Sequence, residues 1–371
     1  MKLTGLSLLL VVAALSAALV PTGLAQTPSG QDDEVIRVET DVTNLFFTAT
    51  NKQKAFVTTL REEDLHLTED GVPQKILTFQ RETDRPLSIA FLIDVSVSQE
   101  RTLPLEKAAA RAFIETIIRS SKDQAAIIPF TGSAFLEQGL TRDVLSIYRA
   151  LEHVEVAMPA YLGSGPRLTG IPSGPGMKAT PLEGTTAIWD AIALTASEVL
   201  ARNPDSRNTG KSRSDGRTPG SSQNPASQGN VPNQRRRAII LLSDGVDSTS
   251  RLEKSEAIRQ ALDAETIIYS IGIGDSKYEG VDRGALNDVA AGTGGRAFFP
   301  KRETDLRSAF AEIEQELRSQ YLIAYSSTNK NRDGAYRQMR IQITNPELQK
   351  EQLKLRHRPG YFAKPLAVTS R

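Results

Sequence analysis

Residues 91–98 read Phe-Leu-Ile-Asp-Val-Ser-Val-Ser, and this stretch decides the fold. It closes an apolar run that begins at Leu87 and stops at Asp94. So continuous a run predicts a central strand that is buried on both faces of a sheet. Ser96 and Ser98 follow at alternate positions, so one carboxylate and two hydroxyls leave the strand end together. These hard oxygen atoms form a suitable ligand set for a cation.

Strands and helices are predicted to alternate after this first strand, a pattern typical of crossover units and a mostly parallel sheet. Buried strands are predicted at residues 88–94, 125–130, 238–242 and 266–273, and helices at 105–117, 144–151, 186–201, 252–264, 286–291 and 306–317. In the first helix, the polar side is predicted to carry Glu106, Lys107, Arg111 and Glu115, opposite Leu105, Ala109, Ala112, Phe113 and Ile117. We therefore expect an α/β domain with a doubly wound, mostly parallel, Rossmann-like sheet over residues 86–318.

Both ends of the chain are predicted to be β-structure. Residues 35–82 alternate in polarity and include a hairpin with Asp70-Gly71 at its turn, a dipeptide that tolerates positive φ. Residues 319–363 contain further alternating strands around a turn at Asp333-Gly334. Neither end has enough strands for a sandwich of its own. We expect the two ends to pair as one small β-sandwich-like module, with the α/β domain inserted between them.

Composition and the N-terminus limit where the protein acts. The chain has 371 residues, a formal net charge of +1 and 24% charged residues, which gives no global attraction to nucleic acid or anionic lipid. It contains no cysteine, which excludes disulfides and thiolate metal sites. Residues 1–25 are typical of a cleaved signal peptide, and their apolar core is shorter than a membrane span of about 20 residues. Export to the periplasm, the cell surface or the medium is expected.

Two insertions interrupt the α/β pattern. Residues 159–184 are rich in Gly, Pro and Ser and are predicted to form a long surface loop. Residues 203–237 contain almost no large apolar side chain and are predicted to be disordered. Their last three residues, Arg235-Arg236-Arg237, are interpreted as a solvated edge before a buried strand rather than as an anion-binding patch.

Three aspartates, Asp94, Asp244 and Asp275, follow predicted strands, and parallel strands end at a common sheet edge where ligands bind. Residues 184–186, Gly-Thr-Thr, lead from a loop into a helix, so a threonine hydroxyl can face the same crevice. Asp275 is interpreted as a turn residue. Carboxylates and hydroxyls without His or Cys suit Mg²⁺ or Mn²⁺. So few carboxylates leave the ion electrophilic, and a partner's Asp or Glu is expected to complete its coordination.

The arrangement resembles the metal-ion-dependent adhesion site (MIDAS) of von Willebrand factor type A domains. The matching motifs, in the same order and spacing, are Asp94-Val95-Ser96-Val97-Ser98, Gly184-Thr185-Thr186 before Ala191-Ile192, and Ser243-Asp244-Gly245. In that family the first aspartate and both serines bind the ion directly or through water, the threonine joins when ligand is bound, and the second aspartate is usually water-bridged. The resemblance assigns these roles to Asp94, Ser96, Ser98, Thr186 and Asp244, with Thr185 competing for the role of Thr186. The flanking β segments resemble a bacterial group of exported proteins that contain such a domain.

Enzymatic alternatives lack parts that their chemistry requires. A serine nucleophile needs a general base, and the three histidines, His66, His153 and His357, lie in unrelated segments. Nucleotide binding would require a glycine-rich turn after the first strand. A phosphatase would require a second aspartate where Ser96 stands. We expect a non-enzymatic adhesion or scaffolding module that binds a protein partner; a metal-dependent hydrolase and a structural module with a vacant site are the alternatives.

Overall fold

The computed structural model describes residues 42–82, 84–156, 185–201, 235–274 and 280–365. Its strands are β1 (Val42–Thr50), β2 (Leu65–Glu69), β3 (Val72–Pro73), β4 (Ile76–Glu82), β5 (Leu87–Asp94), β6 (Gln124–Phe130), β7 (Gln138–Thr141), β8 (Arg236–Ser243), β9 (Thr266–Gly272), β10 (Ala297–Phe298), β11 (Gln320–Ser326), β12 (Tyr336–Ile343), β13 (Lys354–His357) and β14 (Gly360–Phe362). Its helices are α1 (Leu103–Ile117), α2 (Val144–His153), α3 (Ile188–Leu194), α4 (Lys254–Asp263), α5 (Arg283–Thr293), α6 (Glu303–Arg318) and α7 (Pro346–Lys350). A π-helical segment, Thr195–Leu200, continues α3.

Strand β5 lies inside a six-stranded central sheet with the order β10-β9-β8-β5-β6-β7. Every pairing in this sheet is parallel except that of β7 with β6. All residues of β5 are buried, as its unbroken apolar sequence predicts. Because β5, β8 and β9 run in one direction, their carboxyl ends lie at one edge of the sheet.

Helices cover both faces of the central sheet. On one face, Phe91 packs edge-on against Phe113 of α1, and Phe113 stacks on Phe310 of α6 with ring centroids 4.7 Å apart. On the other face, side chains of β5 such as Leu92 pack with α3, α4 and α5, for example with Leu286. This is the doubly wound arrangement, and the predicted fold class is confirmed.

The remaining strands form two four-stranded antiparallel sheets, with the orders β13-β1-β11-β4 and β14-β12-β2-β3. Both sheets mix strands from the two ends of the chain: β1 lies between β11 and β13, and β2 pairs with β12. Their shared core includes Leu45, Phe47, Leu67, Ile323 and Met339. The chain leaves through β4 and returns through β11, which are paired neighbours, so the α/β domain is inserted between adjacent strands of a sandwich-like module.

Two local expectations require correction. The predicted turn at Asp70-Gly71 exists, with φ values of 49° and 81°, and joins β2 to β3. However, β4 does not complete that hairpin, because it pairs with β11 in the other sheet. The predicted solvated edge at residues 235–237 was wrong: β8 begins at Arg236, and the Arg236 side chain is only 4% exposed.

Several expectations fall on residues outside the described ranges. They concern the signal peptide, the loop at residues 159–184, most of the insertion at residues 203–237, and Asp275. Of the helices that are described, none has both the length and the apolar composition that crossing a membrane requires.

Arg236 connects the two modules from a buried position. Its guanidinium donates hydrogen bonds to the Gln320 side chain (2.9 Å), to the Glu82 carbonyl (2.7 Å) and to the Leu317 carbonyl. These acceptors belong to β11, β4 and α6, where the chain passes between the α/β domain and the sandwich. Burial lowers the pKa of Arg236 to about 10, so the side chain stays charged at neutral pH. Arg236 therefore connects the two places at which the chain passes between the α/β domain and the sandwich-like module.

Arg236→Met is expected to lower the free energy of unfolding by about 2–5 kcal/mol, because two buried oxygen atoms and one part-buried oxygen atom lose their donor. Urea denaturation of the purified protein measures this change. Arg307→Met is the matched control, since Arg307 is half-exposed and only pairs with Glu303 on the same helix. Equal free energies of unfolding for the two variants would show that the hydrogen bonds of Arg236 do not stabilise the junction.

Candidate metal centre

Asp94 lies at the carboxyl end of β5 with none of its surface exposed. Its Oδ1 accepts a hydrogen bond from the backbone N–H of Ser96 (2.9 Å), and its Oδ2 accepts one from the Ser243 hydroxyl (2.7 Å). One donor comes from the loop after β5 and the other from the end of the neighbouring strand β8. The carboxylate is therefore held in a fixed orientation by two elements.

The two predicted serines and the second predicted aspartate meet beside Asp94. The hydroxyls of Ser96 and Ser98 are 3.0 Å apart, and the Ser98 hydroxyl donates to Asp244 Oδ2 (2.8 Å). Asp244 follows β8 and is 4% exposed, and its Oδ1 accepts from the N–H of Val246 (3.0 Å). The structure thus brings Asp94, Ser96, Ser98 and Asp244 into one hydrogen-bonded group.

Thr186 is tied to this region through its backbone. Its N–H donates to the Ser248 hydroxyl (2.8 Å), and its carbonyl accepts from the N–H groups of Ser248 (2.8 Å) and Thr249 (3.1 Å). In the part of the chain that is described, no hydrogen bond joins the Thr186 hydroxyl to the other four predicted residues. The threonine is 7% exposed, and its position depends on the loop that follows Asp244.

The same loop caps the first turn of α3 from outside the helix. Asp247 Oδ1 accepts from the N–H of Ile188 (2.7 Å), and the Ser250 hydroxyl accepts from the N–H of Trp189 (3.0 Å). Asp190 is only 8% exposed and accepts from the N–H groups of Arg251 (3.0 Å) and Leu252 (2.9 Å). Side chains far apart in sequence therefore lock the Thr186 segment against the end of β8.

Gln99 is a residue of the site that the sequence did not reveal. It is fully buried, and its Nε2 donates to Asp244 Oδ2 (2.9 Å) while its Oε1 accepts from the Thr102 hydroxyl (2.9 Å). It therefore links Asp244 to the start of α1. Its partner aspartate lies 145 residues away in the chain, so no local pattern marks it.

The site is electrostatically negative. Burial raises the pKa of the Asp94 carboxyl to about 6; hydrogen bonds from Ser96 and Ser243 oppose the rise, and the charge of Asp244 adds to it. Among the described residues, no Lys or Arg forms an ion pair with Asp94 or Asp244. Two buried carboxylates and two hydroxyls without a balancing cationic side chain are a donor set that fits a hard divalent ion.

The comparisons with known proteins concern the fold. No family model and no curated protein matches the chain. Among solved structures, it is similar to proximal thread matrix protein 1 from the mussel byssus (16% identity, TM-score 0.45, covering 67% of this chain and 51% of that one). It is also similar to BatB from Bacteroides thetaiotaomicron (16%, TM-score 0.39, 63% and 100%) and to a von Willebrand factor type A protein from Catenulispora acidiphila (12%, TM-score 0.44, 86% and 72%).

A further structure of the mussel protein is described as having a zinc-occupied MIDAS motif. The chain spans about half the length of the mussel protein. Every TM-score is below 0.5 and every identity is below 25%, so no residue role or ligand is transferred from these proteins.

The raised pKa of Asp94 predicts a pH effect on the metal-free protein. Because the folded pKa of about 6 lies above the unfolded value of about 3.9, the native state binds the proton more tightly. The contribution of this group to stability is therefore greatest below about pH 4 and falls as the pH rises through about 6. Scanning calorimetry in the presence of chelator measures the unfolding temperatures of wild type and of Asp94→Asn. The difference between them, wild type minus variant, should decrease as the pH rises from about 4 to above about 6. A difference that rises with pH would exclude this assignment.

Proposed function

We propose that this chain is an exported protein-binding module whose α/β domain holds a divalent cation at the carboxyl edge of the central sheet. The ion would be held by Asp94, Ser96, Ser98, Thr186 and Asp244 and would bind an acidic group of a partner protein. One observation carries the proposal: Asp94 and Asp244 are buried beside hydroxyl groups, and among the residues that the structure describes neither forms an ion pair with a cationic side chain. Bare carboxylates in such a place are costly unless a cation or a proton compensates them.

Mg²⁺ or Mn²⁺ is the proposed ion, because all the donors are hard oxygen atoms. Asp94 and the two serine hydroxyls are the proposed direct or water-mediated ligands, and Asp244 is proposed to act through water. Since the hydroxyls are neutral, at most two carboxylates balance the ion, which keeps affinity for one more anionic oxygen. A carboxylate from a partner would supply that oxygen.

The rim of the site offers an apolar contact to such a partner. Val97 lies between the two serines in sequence, and its side chain is 48% exposed, although the residues on either side of it in the loop are polar. If the partner has an apolar side chain next to its acidic group, contact with Val97 would bury apolar surface from water and favour binding. The proposed ligand is therefore an Asp or Glu with an apolar neighbour.

The positions of the histidines favour binding over hydrolysis. His66 lies on β2 and His357 on β13, both in the sandwich-like module, and His153 ends α2 beside Glu137 (3.6 Å). None of the three contacts the proposed ligands. A general base of this type is thus absent from the immediate surroundings of Ser96 and Ser98.

Asp94→Ala is expected to abolish the binding of Mg²⁺ and Mn²⁺ in calorimetric titration. The variant should remain folded, with the same circular dichroism spectrum as wild type. Wild type should give a saturable single-site isotherm. Asp288→Ala is the matched control, because Asp288 is an exposed aspartate of α5 that pairs with Lys254 of α4. Binding by the Asp94 variant equal to that of the control would refute the proposed site.

The same pair of variants separates metal binding from partner binding. Immobilised wild type and Asp288→Ala should retain an envelope protein that chelator releases, and Asp94→Ala should retain none. If metal binds but retention is the same with and without chelator, the cation serves the structure of the domain rather than the partner.

A further inference from the structure

Glu106 is a buried carboxyl group outside the predicted ligand set. It lies in the first turn of α1 and is 1% exposed. Within the described ranges, both of its carboxylate oxygens are shielded from solvent and have no hydrogen-bond partner. The sequence placed Glu106 on the polar side of the helix, and this was wrong. An unpaired carboxylate in such a position is strongly unfavourable unless a proton or a cation compensates its charge.

The first turn of α1 lies directly behind the candidate metal centre. A 3₁₀ turn, Val97–Gln99, connects the serine loop to α1, and Gln99 joins Asp244 to Thr102. The N–H of Glu106 donates to the Thr102 carbonyl (3.0 Å). Because the Thr102 hydroxyl gives its proton to Gln99 Oε1, it is not a donor to the Glu106 carboxylate. The helix turn is thereby linked to Asp244 through buried polar groups.

Electrostatics connects Glu106 to the same centre. Burial raises the pKa of the Glu106 carboxyl to about 8, and the charges of Asp94 and Asp244 add to the rise. The three carboxyls therefore sense one another's charge. They do not form a set close enough to hold one ion jointly, since the described residues contain no cluster of three such side chains with that spacing. Glu106 must act on an ion from beyond its direct ligands.

We infer that Glu106 is a positioning residue of the metal centre, a third carboxyl group that increases cation affinity from the helix side without touching the ion. The inference rests on the proposed metal function. With a pKa of about 8, the free group is mostly protonated at neutral pH. Binding of the cation would release this proton to solvent, and the carboxylate so formed would attract the divalent cation over several ångströms. The same charge repels an incoming carboxylate, so Glu106 would favour retention of the ion over uptake of an acidic partner. In the absence of the ion, the group would destabilise the fold.

Glu106→Gln tests this role, because it removes the charge and keeps the shape. We expect Mg²⁺ affinity in calorimetric titration to fall by about tenfold or more, as for other groups beyond the first ligands. The metal-free unfolding midpoint, measured in chelator, should rise. A purely structural role predicts the opposite pattern, with unchanged affinity and an unchanged or lower midpoint. Glu115→Gln is the matched control, since Glu115 is an exposed glutamate of the same helix that pairs with Arg111.

Glu106→Asp is a second variant that keeps the charge, so that the conclusion does not depend on one substitution. It should retain Mg²⁺ affinity within about threefold of wild type, a smaller change than the roughly tenfold or greater loss expected when an outer group is removed. If wild type binds Mg²⁺ and Glu106→Gln binds it equally well, this inference alone is overturned. If wild type binds no divalent ion, the proposed function and this inference both fail.

Discussion

The carboxylate of Asp94, buried at the end of the central strand, is the constraint on which the rest of the site depends. Ser96 fixes one of its oxygens and Ser243 fixes the other. These donors come from two adjacent strand ends, so the carboxylate can be placed only after β5 and β8 have paired. The serine loop, Asp244 and the Thr186 segment are then assembled around it by hydrogen bonds between distant parts of the chain. Folding of the sheet and formation of the site are therefore one event.

The surrounding architecture explains how such a site can lie within a larger chain. The α/β domain leaves the sandwich-like module at β4 and returns at β11, and these two strands are paired. Insertion between neighbouring strands keeps the ends of the domain close together, and Arg236 binds both crossing points. The sheet edge with the site faces away from these connections, because β4 enters β5 at its amino end. The candidate metal centre and the sandwich-like module are thus at opposite ends of β5.

Much of the fold could be predicted from the sequence, because strands, helices and turns have recognisable patterns over a few neighbouring residues. The unbroken apolar run of β5, the aspartates after the strands and the Asp70-Gly71 turn each have a short-range signature. The role of Gln99 and the hydrogen bond from Ser243 to Asp94 could not be found in this way, since the partners are 145 and 149 residues away. Glu106 did have a signal: it is three positions after Leu103 and three before Ala109, both buried, and so lies in the helix stripe that faces inward. Its charge led to its assignment to the polar side. Arg236 was misjudged for the same reason.

We propose that a hard divalent ion occupies the space among Asp94, Ser96 and Ser98, and anomalous diffraction from crystals grown with Mn²⁺ would locate it. One peak is expected in this space, within about 2.2 Å of each oxygen atom that binds the ion directly. A map in which the Ser98 hydroxyl still donates to Asp244 and no peak lies beside Asp94 would contradict it.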